Sequence, residues 1–201
     1  MVWNMLAINE EFLSYQGEGQ NVGKLQYFIR TQGCSVGCYF CDTKHSWKEE
    51  DATTKEEDIV ARVIASGAEW ACITGGEPLE QDLTSLVNLL KINGIKIQIE
   101  TSGMFYNPII KEMDWVCCSP KTLFSKTEYK KEFDIMSHEM KCVVTSKEDI
   151  EFYQTKYEDF GGVKTFQPVD NNEIEITKIL LDKALPDWRV MTQQHKILDL
   201  R

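Results

Sequence analysis

Strand-like runs alternate with helical ones along this chain, and that alternation constrains the fold more than any other feature. Short runs rich in β-branched, aromatic and aliphatic residues lie at 6–10, 25–30, 70–74, 95–100, 115–118, 140–144, 163–167 and 188–192. Between several of them stand stretches with helical spacing. Thr54-x-x-Glu57 reads as a capping box opening a helix with Ile59, Val60, Val63 and Ile64 on one face, ended by Gly67. Asp82 reads as the cap of a helix carrying Leu83, Leu86, Val87 and Leu90 and closed by Asn93-Gly94. Further helices are expected at about 147–156 and 173–185, whereas 119–138 lacks clear periodicity and reads as loop with at most one helical turn. Strands alternating with helices predict an α/β fold of βα units around a mainly parallel sheet. The 201 residues predict one domain over 1–201, shorter than the roughly 250 residues of a complete eight-fold barrel, so a partial barrel fits.

Cys34, Cys38 and Cys41 follow a C-x3-C-x2-C spacing within 31–43, and three thiols on one short loop form a metal site. Three cysteinates can hold three irons of a cubane cluster and leave the fourth open to a substrate or cofactor, whereas ferredoxin-type clusters use four. Structural zinc is the alternative, since His45 follows closely enough to complete a Cys3His tetrahedron. A second motif, Ile73-Thr-Gly-Gly-Glu-Pro78, favours the cluster, because a zinc knuckle has no use for it. It sits at the carboxyl end of a predicted strand, where α/β folds place ligands. Gly75 and Gly76 would let backbone meet a ligand without a Cβ in the way, while Glu77 supports the loop or is a surface acid. Tyr15-Gln-Gly-Glu-Gly19 is either a loop of the same kind or a plain turn.

Composition excludes several functions. A net charge of −10 and a pI near 4.9 disfavour tracking along a nucleic-acid backbone, and the modest run from Lys126 to Lys131 reads as solvated surface. No apolar run approaches the ~20 residues that span a bilayer, so a soluble protein and no membrane partner are expected. The first residues show no basic region and no small-residue cleavage site, which places the protein in the cytoplasm. Seven cysteines, three of them on one loop, argue for a reducing compartment; Cys72, Cys117, Cys118 and Cys142 lie in apolar runs and read as small buried hydrophobes.

The cysteine triad with its downstream Gly-Gly-Glu-Pro resembles the radical S-adenosylmethionine (SAM) superfamily, in which an aromatic at the position of Phe40 lies beside the adenine. By that resemblance the amine and carboxylate of SAM chelate the open iron, with Gly75 and Gly76 beside the amine. One electron then cleaves a carbon–sulfur bond to give a 5′-deoxyadenosyl radical, chemistry that belongs to the cofactor.

Within the superfamily the chain is similar to the 7-carboxy-7-deazaguanine synthases of queuosine and deazapurine biosynthesis. The resemblance covers most of the chain through Gln16-Gly-Glu-Gly19, Phe28-Ile-Arg30, the cysteine loop continuing into Asp42-Thr43, and Thr74-Gly-Gly-Glu-Pro78. It continues through Glu100-Thr-Ser-Gly103, Ser119-Pro-Lys121, Gln167-Pro-Val-Asp170 and Gln194-His-Lys196. It implies a trimmed, incomplete radical SAM (β/α) barrel that converts 6-carboxy-5,6,7,8-tetrahydropterin to 7-carboxy-7-deazaguanine with loss of ammonia. The implied cofactors are a 4Fe–4S cluster, SAM and Mg²⁺, with a flavodoxin or ferredoxin as electron donor and a homodimer as the assembly.

Residue by residue, the resemblance places the iron on Cys34, Cys38 and Cys41 and Mg²⁺ on Thr43. SAM falls to Phe40, Cys41, Asp42, Gly76, Glu100, Ser119, Pro120, Lys121, Gln167, Pro168, Val169 and Asp170. The pterin falls to Tyr15, Gln16, Gly17, Glu18, Arg30, Thr74, His195 and the α-carboxylate of Arg201, with the Arg30 guanidinium matching the substrate carboxylate. Ser102 and Cys118 depart from the residue types usual in the family. Two alternatives are a small glycyl-radical activase, which shares the cysteine spacing but needs a protein partner, and a non-catalytic zinc or iron–sulfur module.

Overall fold

The structure, a computed structural model, describes residues 5–169 and 173–200. In chain order its elements are β1 (Met5–Leu6), β2 (Ile8–Tyr15), β3 (Leu25–Thr31), β4 (Thr54–Lys55), α1 (Glu56–Ser66), β5 (Trp70–Gly75), α2 (Thr84–Ile92), β6 (Lys96–Thr101) and β7 (Trp115–Cys118). Then follow α3 (Phe133–Met136), β8 (Glu139–Val144), α4 (Lys147–Lys156), β9 (Val163–Pro168), α5 (Glu173–Lys183), β10 (Trp188–Val190) and α6 (Gln194–Ile197). Among the described residues no helix is long and apolar enough to cross a membrane.

One sheet of eight strands runs β10-β9-β8-β7-β6-β5-β3-β2. Every neighbouring pair is parallel except β2 with β3, which forms an antiparallel hairpin at one edge. From β3 onward each new strand of this sheet joins beside the one before it, β4 pairing separately with β1. Right-handed crossovers repeated in that order keep the helices on one face, which is the wall of a barrel. Among the described residues the outermost strands, β2 and β10, do not pair with each other, an arrangement in keeping with the trimmed-barrel reading.

The period of two along each strand divides the sheet into two faces. Ile29, Ile73, Ile99 and Val116 stand in one row across β3, β5, β6 and β7. They pack with Ile59 and Val63 of α1, Leu86 and Leu90 of α2, and Ile150 and Tyr153 of α4 in a continuous apolar core. The opposite face is buried as well but is largely polar. Phe12 stacks on Phe28 across the hairpin, 5.1 Å between ring centres, and Cys72 completes that small apolar patch. Beyond it lie Gln26, Gln98, Glu139, Lys141 and Thr165, all buried.

Several local expectations are corrected. Thr54 does not cap α1: it pairs with Leu6 in the short β1–β4 ladder, and the helix starts at Glu56 after Lys55, which provides no side-chain cap. Ile64 is exposed, because it lies about 140° round the helix from Ile59, beyond the stripe that meets the sheet. The first strand extends to Tyr15, well past residue 10, and β10 stops at Val190. Asp82 does hold the start of α2, accepting from the Thr84 amide at 3.0 Å. The segment 119–138 contains one short helix, α3.

Candidate active site

The carboxyl ends of the parallel strands, the 15–19 loop, the cysteine loop and α6 enclose one cavity of about 280 Å³. Each parallel strand from β3 to β9 except β7 brings a wall residue from within the strand, such as Arg30, Thr74, Glu100, Lys141 and Gln167, and the turn after β7 adds Ser119 and Lys121. The structure also brings Tyr15, Gln16, Gly17, Glu18, Cys34, Cys38, Phe40, Cys41, Asp42, Thr43, Gly76, Pro168, Val169 and His195 into the same wall. Pro120 stays behind it, its carbonyl accepting from the Tyr153 hydroxyl at 3.0 Å. Asp170 and Arg201 lie outside the described residues.

The cysteine loop is pinned at both ends by backbone. The Gly33 amide donates to the Ser46 carbonyl at 2.8 Å and the Cys34 amide to the Trp47 carbonyl at 3.2 Å. Gly33 and Gly37 turn the chain with φ of 96° and 68°, which suits glycine. The thiols meet N–H donors: Trp47 Nε1 lies 3.3 Å from Cys41 Sγ, and the Val36 and Gly37 amides point at Cys34. Burial nevertheless holds the Cys34 thiol up, at about 11, and also raises Cys38, whose Lys121 neighbour pulls the other way. Thiols so placed ionise readily only when a metal replaces the proton.

These residues fit a three-thiolate cubane. Among the described residues no group of three or more His, Cys, Asp or Glu converges tightly enough for a single ion, and His45 is exposed, outside the cavity wall. The Cys3His zinc tetrahedron is therefore not formed. A cubane is wider than one ion and needs its thiolates set further apart, on a loop that opens onto a cavity.

The two glycines of Gly75-Gly76-Glu77-Pro78 let the chain pass close against the backbone of this loop. A Cβ on Gly76 would stand 1.9 Å from the Gly33 carbonyl oxygen, and one on Gly75 2.3 Å from the Thr31 nitrogen. The Gly76 amide donates to Thr31 and the Glu77 amide to Gly33. Both glycines also line the cavity. Glu77 is no surface acid: fully buried, it accepts from the Leu79 and Ser102 amides and from the Thr101 and Ser102 hydroxyls, tying the end of β5 to the end of β6. Burial raises its carboxyl above the usual range, against the pull of those donors.

The same wall carries a polar network that the sequence motifs named only in part. Lys141 Nζ stands 2.5 Å from Glu18 Oε2 and 2.8 Å from Glu100 Oε2. Gln98 donates to Glu100 at 2.6 Å, and Gln193 donates to Glu18 at 2.7 Å and to Asp42 at 3.2 Å. Lys196 pairs with Asp42 at 3.2 Å, so the segment around α6 straps the 15–19 loop to the cysteine loop. The Gln194 amide donates to the Gly17 carbonyl at 3.0 Å, and a Cβ on Gly17 would strike His195. Arg30 carries a standing partner, Glu10, at 2.8 Å. Lys141, Gln193 and Glu10 stand in none of the motifs, and Lys196 stands in one without a role of its own. A lysine between Met140 and Cys142 in an otherwise apolar strand is the one signal that could have revealed Lys141.

An open parallel barrel wall with a cubane-ready cysteine loop at its carboxyl ends defines a class, and a family model described as the Radical SAM superfamily matches residues 28–139. The chain is 35% identical over 200 residues to a 7-carboxy-7-deazaguanine synthase of Flavobacterium psychrophilum, an alignment covering 98% of this chain and 93% of that protein. It is 36% identical over 220 residues to the 7-carboxy-7-deazaguanine synthase of Escherichia coli K12, covering 96% and 98% respectively. The crystal structure of QueE from Escherichia coli matches with a TM-score of 0.84 at 31% identity, covering 95% of each chain. The chain belongs to the 7-carboxy-7-deazaguanine synthase family of the radical SAM superfamily. Neither a glycyl-radical activase nor a bare metal module remains as a reading.

Proposed function

We propose that the cavity holds a 4Fe–4S cluster, SAM and 6-carboxy-5,6,7,8-tetrahydropterin together and releases 7-carboxy-7-deazaguanine and ammonia. The observation that carries this is one cavity whose wall holds both the three thiols and two fixed carboxylates. When bound, the cluster and SAM supply one electron and the organic radical that removes a hydrogen atom from the substrate. Product and ammonia together account for every atom of the substrate, so no external oxidant is required.

In this reading Cys34, Cys38 and Cys41 hold the iron, while Phe40, Asp42, Gly76, Ser119, Lys121 and the 167–169 segment surround SAM. Tyr15, Gln16, Gly17, Thr74 and His195 flank the pterin, and Arg30, held by Glu10, orients its carboxylate through the guanidinium fork. Glu18 accepts from the pterin's N–H groups, and Glu100, which the resemblance gives to SAM, is reassigned to the same pterin edge because Lys141 ties it to Glu18. Thr43 offers a hard oxygen to Mg²⁺, which keeps several waters and borrows the rest of its ligands from the substrate. The protein works as a single domain over 1–201 and as a homodimer in the cytoplasm, reduced by a flavodoxin or ferredoxin.

Reconstituted protein given SAM, reductant and the carboxypterin should form 7-carboxy-7-deazaguanine with one ammonia per product; ammonia without the deazapurine would refute the assignment. If Thr43 and the substrate share Mg²⁺, chelating it should slow product formation by roughly tenfold or more while SAM binding changes little. Equal turnover in Mg²⁺-free and Mg²⁺-replete assays would remove the metal from the site.

A further inference from the structure

Lys141 belongs to none of the motifs that mark the site, yet its ammonium joins two carboxylates from different elements, Glu18 of the loop after β2 and Glu100 of β6. The lysine side chain is 8% exposed and the acids 15% and 14%, so all three are largely withdrawn from water. Their remaining oxygens also accept from the protein, which still leaves lone pairs on both carboxylates. Glu18 Oε1 accepts from Gln193 at 2.7 Å, and Glu100 Oε1 from Gln98 at 2.6 Å and Gln16 at 3.4 Å. The other titratable groups acting on this triad are the Cys117 thiol from β7, Cys72 from β5 and His195 from α6; Arg30 of β3 and Glu139, on the same strand as Lys141, act in turn on Cys72 and Cys117.

We propose that Lys141 is a positioning residue that fixes Glu18 and Glu100 as a pair of ionised hydrogen-bond acceptors, so that the site selects a substrate edge made of N–H donors. This rests on the function proposed above, since a tetrahydropterin presents such an edge through its amine and ring nitrogens. An ionised carboxylate accepts and cannot donate, whereas a protonated one presents a hydroxyl that competes with those donors. Two buried carboxylates without a shared cation cannot both remain ionised, and one takes up a proton. Burial pushes the Glu18 carboxyl up, but the Lys141 charge and hydrogen bond, with that of Gln193, outweigh it and bring it to about 2. The Lys141 ammonium, pulled down by burial, is carried well above its ordinary value by Glu100 and Glu18.

The test is equilibrium binding of the carboxypterin to reconstituted, unreduced protein as a function of pH. Lys141→Met should weaken binding on the order of 100-fold near pH 6 and move the acid-side midpoint up by more than about one pH unit. Lys141→Arg, which keeps the charge, should retain the wild-type midpoint whatever its affinity. Lys141→Ala should regain about tenfold or more of its lost affinity with added ethylammonium, which a role in folding alone does not predict. Iron content and thermal melting report folding. If Lys141→Met does not fold, Lys141→Ala prepared with ethylammonium carries the test through loss of binding when the amine is dialysed away. An unmoved midpoint in Lys141→Met, no response of Lys141→Ala to the amine, or wild-type binding that falls away between about pH 8 and 6 would overturn the role of Lys141. Wild type that binds no carboxypterin at any pH would refute the proposed function as well.

Discussion

Replacing Cys34, Cys38 or Cys41 singly by alanine is expected to abolish the cluster and all turnover. Three thiolates hold a cubane that already has one iron without a protein ligand, and two cannot retain it. No neighbouring thiol substitutes, because Cys72, Cys117, Cys118 and Cys142 are fully buried within strands, and burial raises each of those thiols above its ordinary value. Cys117→Ala and Cys118→Ala should therefore keep the cluster at a packing cost of about 1 kcal/mol. Iron and acid-labile sulfide are the measurements, and wild-type content in any of the three loop variants would show that the ligands are misassigned.

Gly76→Ala is expected to be the most damaging single methyl group in the protein. The added carbon would meet the Gly33 carbonyl oxygen at 1.9 Å and the Ser46 carbonyl oxygen at 3.0 Å, both backbone atoms of the cysteine loop. No side chain can rotate away, so the loop must shift, with loss of the Glu77 amide to Gly33 hydrogen bond. The cost should reach about 3 kcal/mol, and the folded fraction should retain little iron. Gly94→Ala is the control. Its φ of 74° is unfavourable for alanine, but a Cβ there meets nothing within 4 Å, so a cost of about 1–2 kcal/mol with unchanged iron content is expected. Wild-type iron in Gly76→Ala would mean that the two loops do not depend on this contact.

How far the sequence revealed the molecule depended on whether a residue's environment was local. The strands near 70–74 and 95–100 were legible because Ile73, Ile97 and Ile99 alternate with other residues and face the helices. The cysteine loop was legible because its spacing is itself the ligand set. The length of β2 was not, since Glu11 and Ser14 look like loop residues until β3 is laid beside them. Nor was the fate of Thr54, whose capping pattern yields to pairing with Leu6 far away in sequence. The polar inner face was the largest omission. Gln98, Lys141 and Thr165 are all buried on that face, and a pattern of alternating polarity cannot distinguish it from one turned to solvent. Gln193 and Lys196 were hidden for the same reason, as their partners Glu18 and Asp42 lie at the other end of the chain.

The most direct test of the account is anaerobic reconstitution with iron and sulfide, followed by reduction with SAM in the presence and absence of the carboxypterin. The account predicts iron and sulfide in cubane proportions, and 5′-deoxyadenosine that rises sharply with the pterin together with 7-carboxy-7-deazaguanine. Stoichiometric zinc without sulfide, or 5′-deoxyadenosine formation indifferent to the pterin and without the deazapurine, would contradict it.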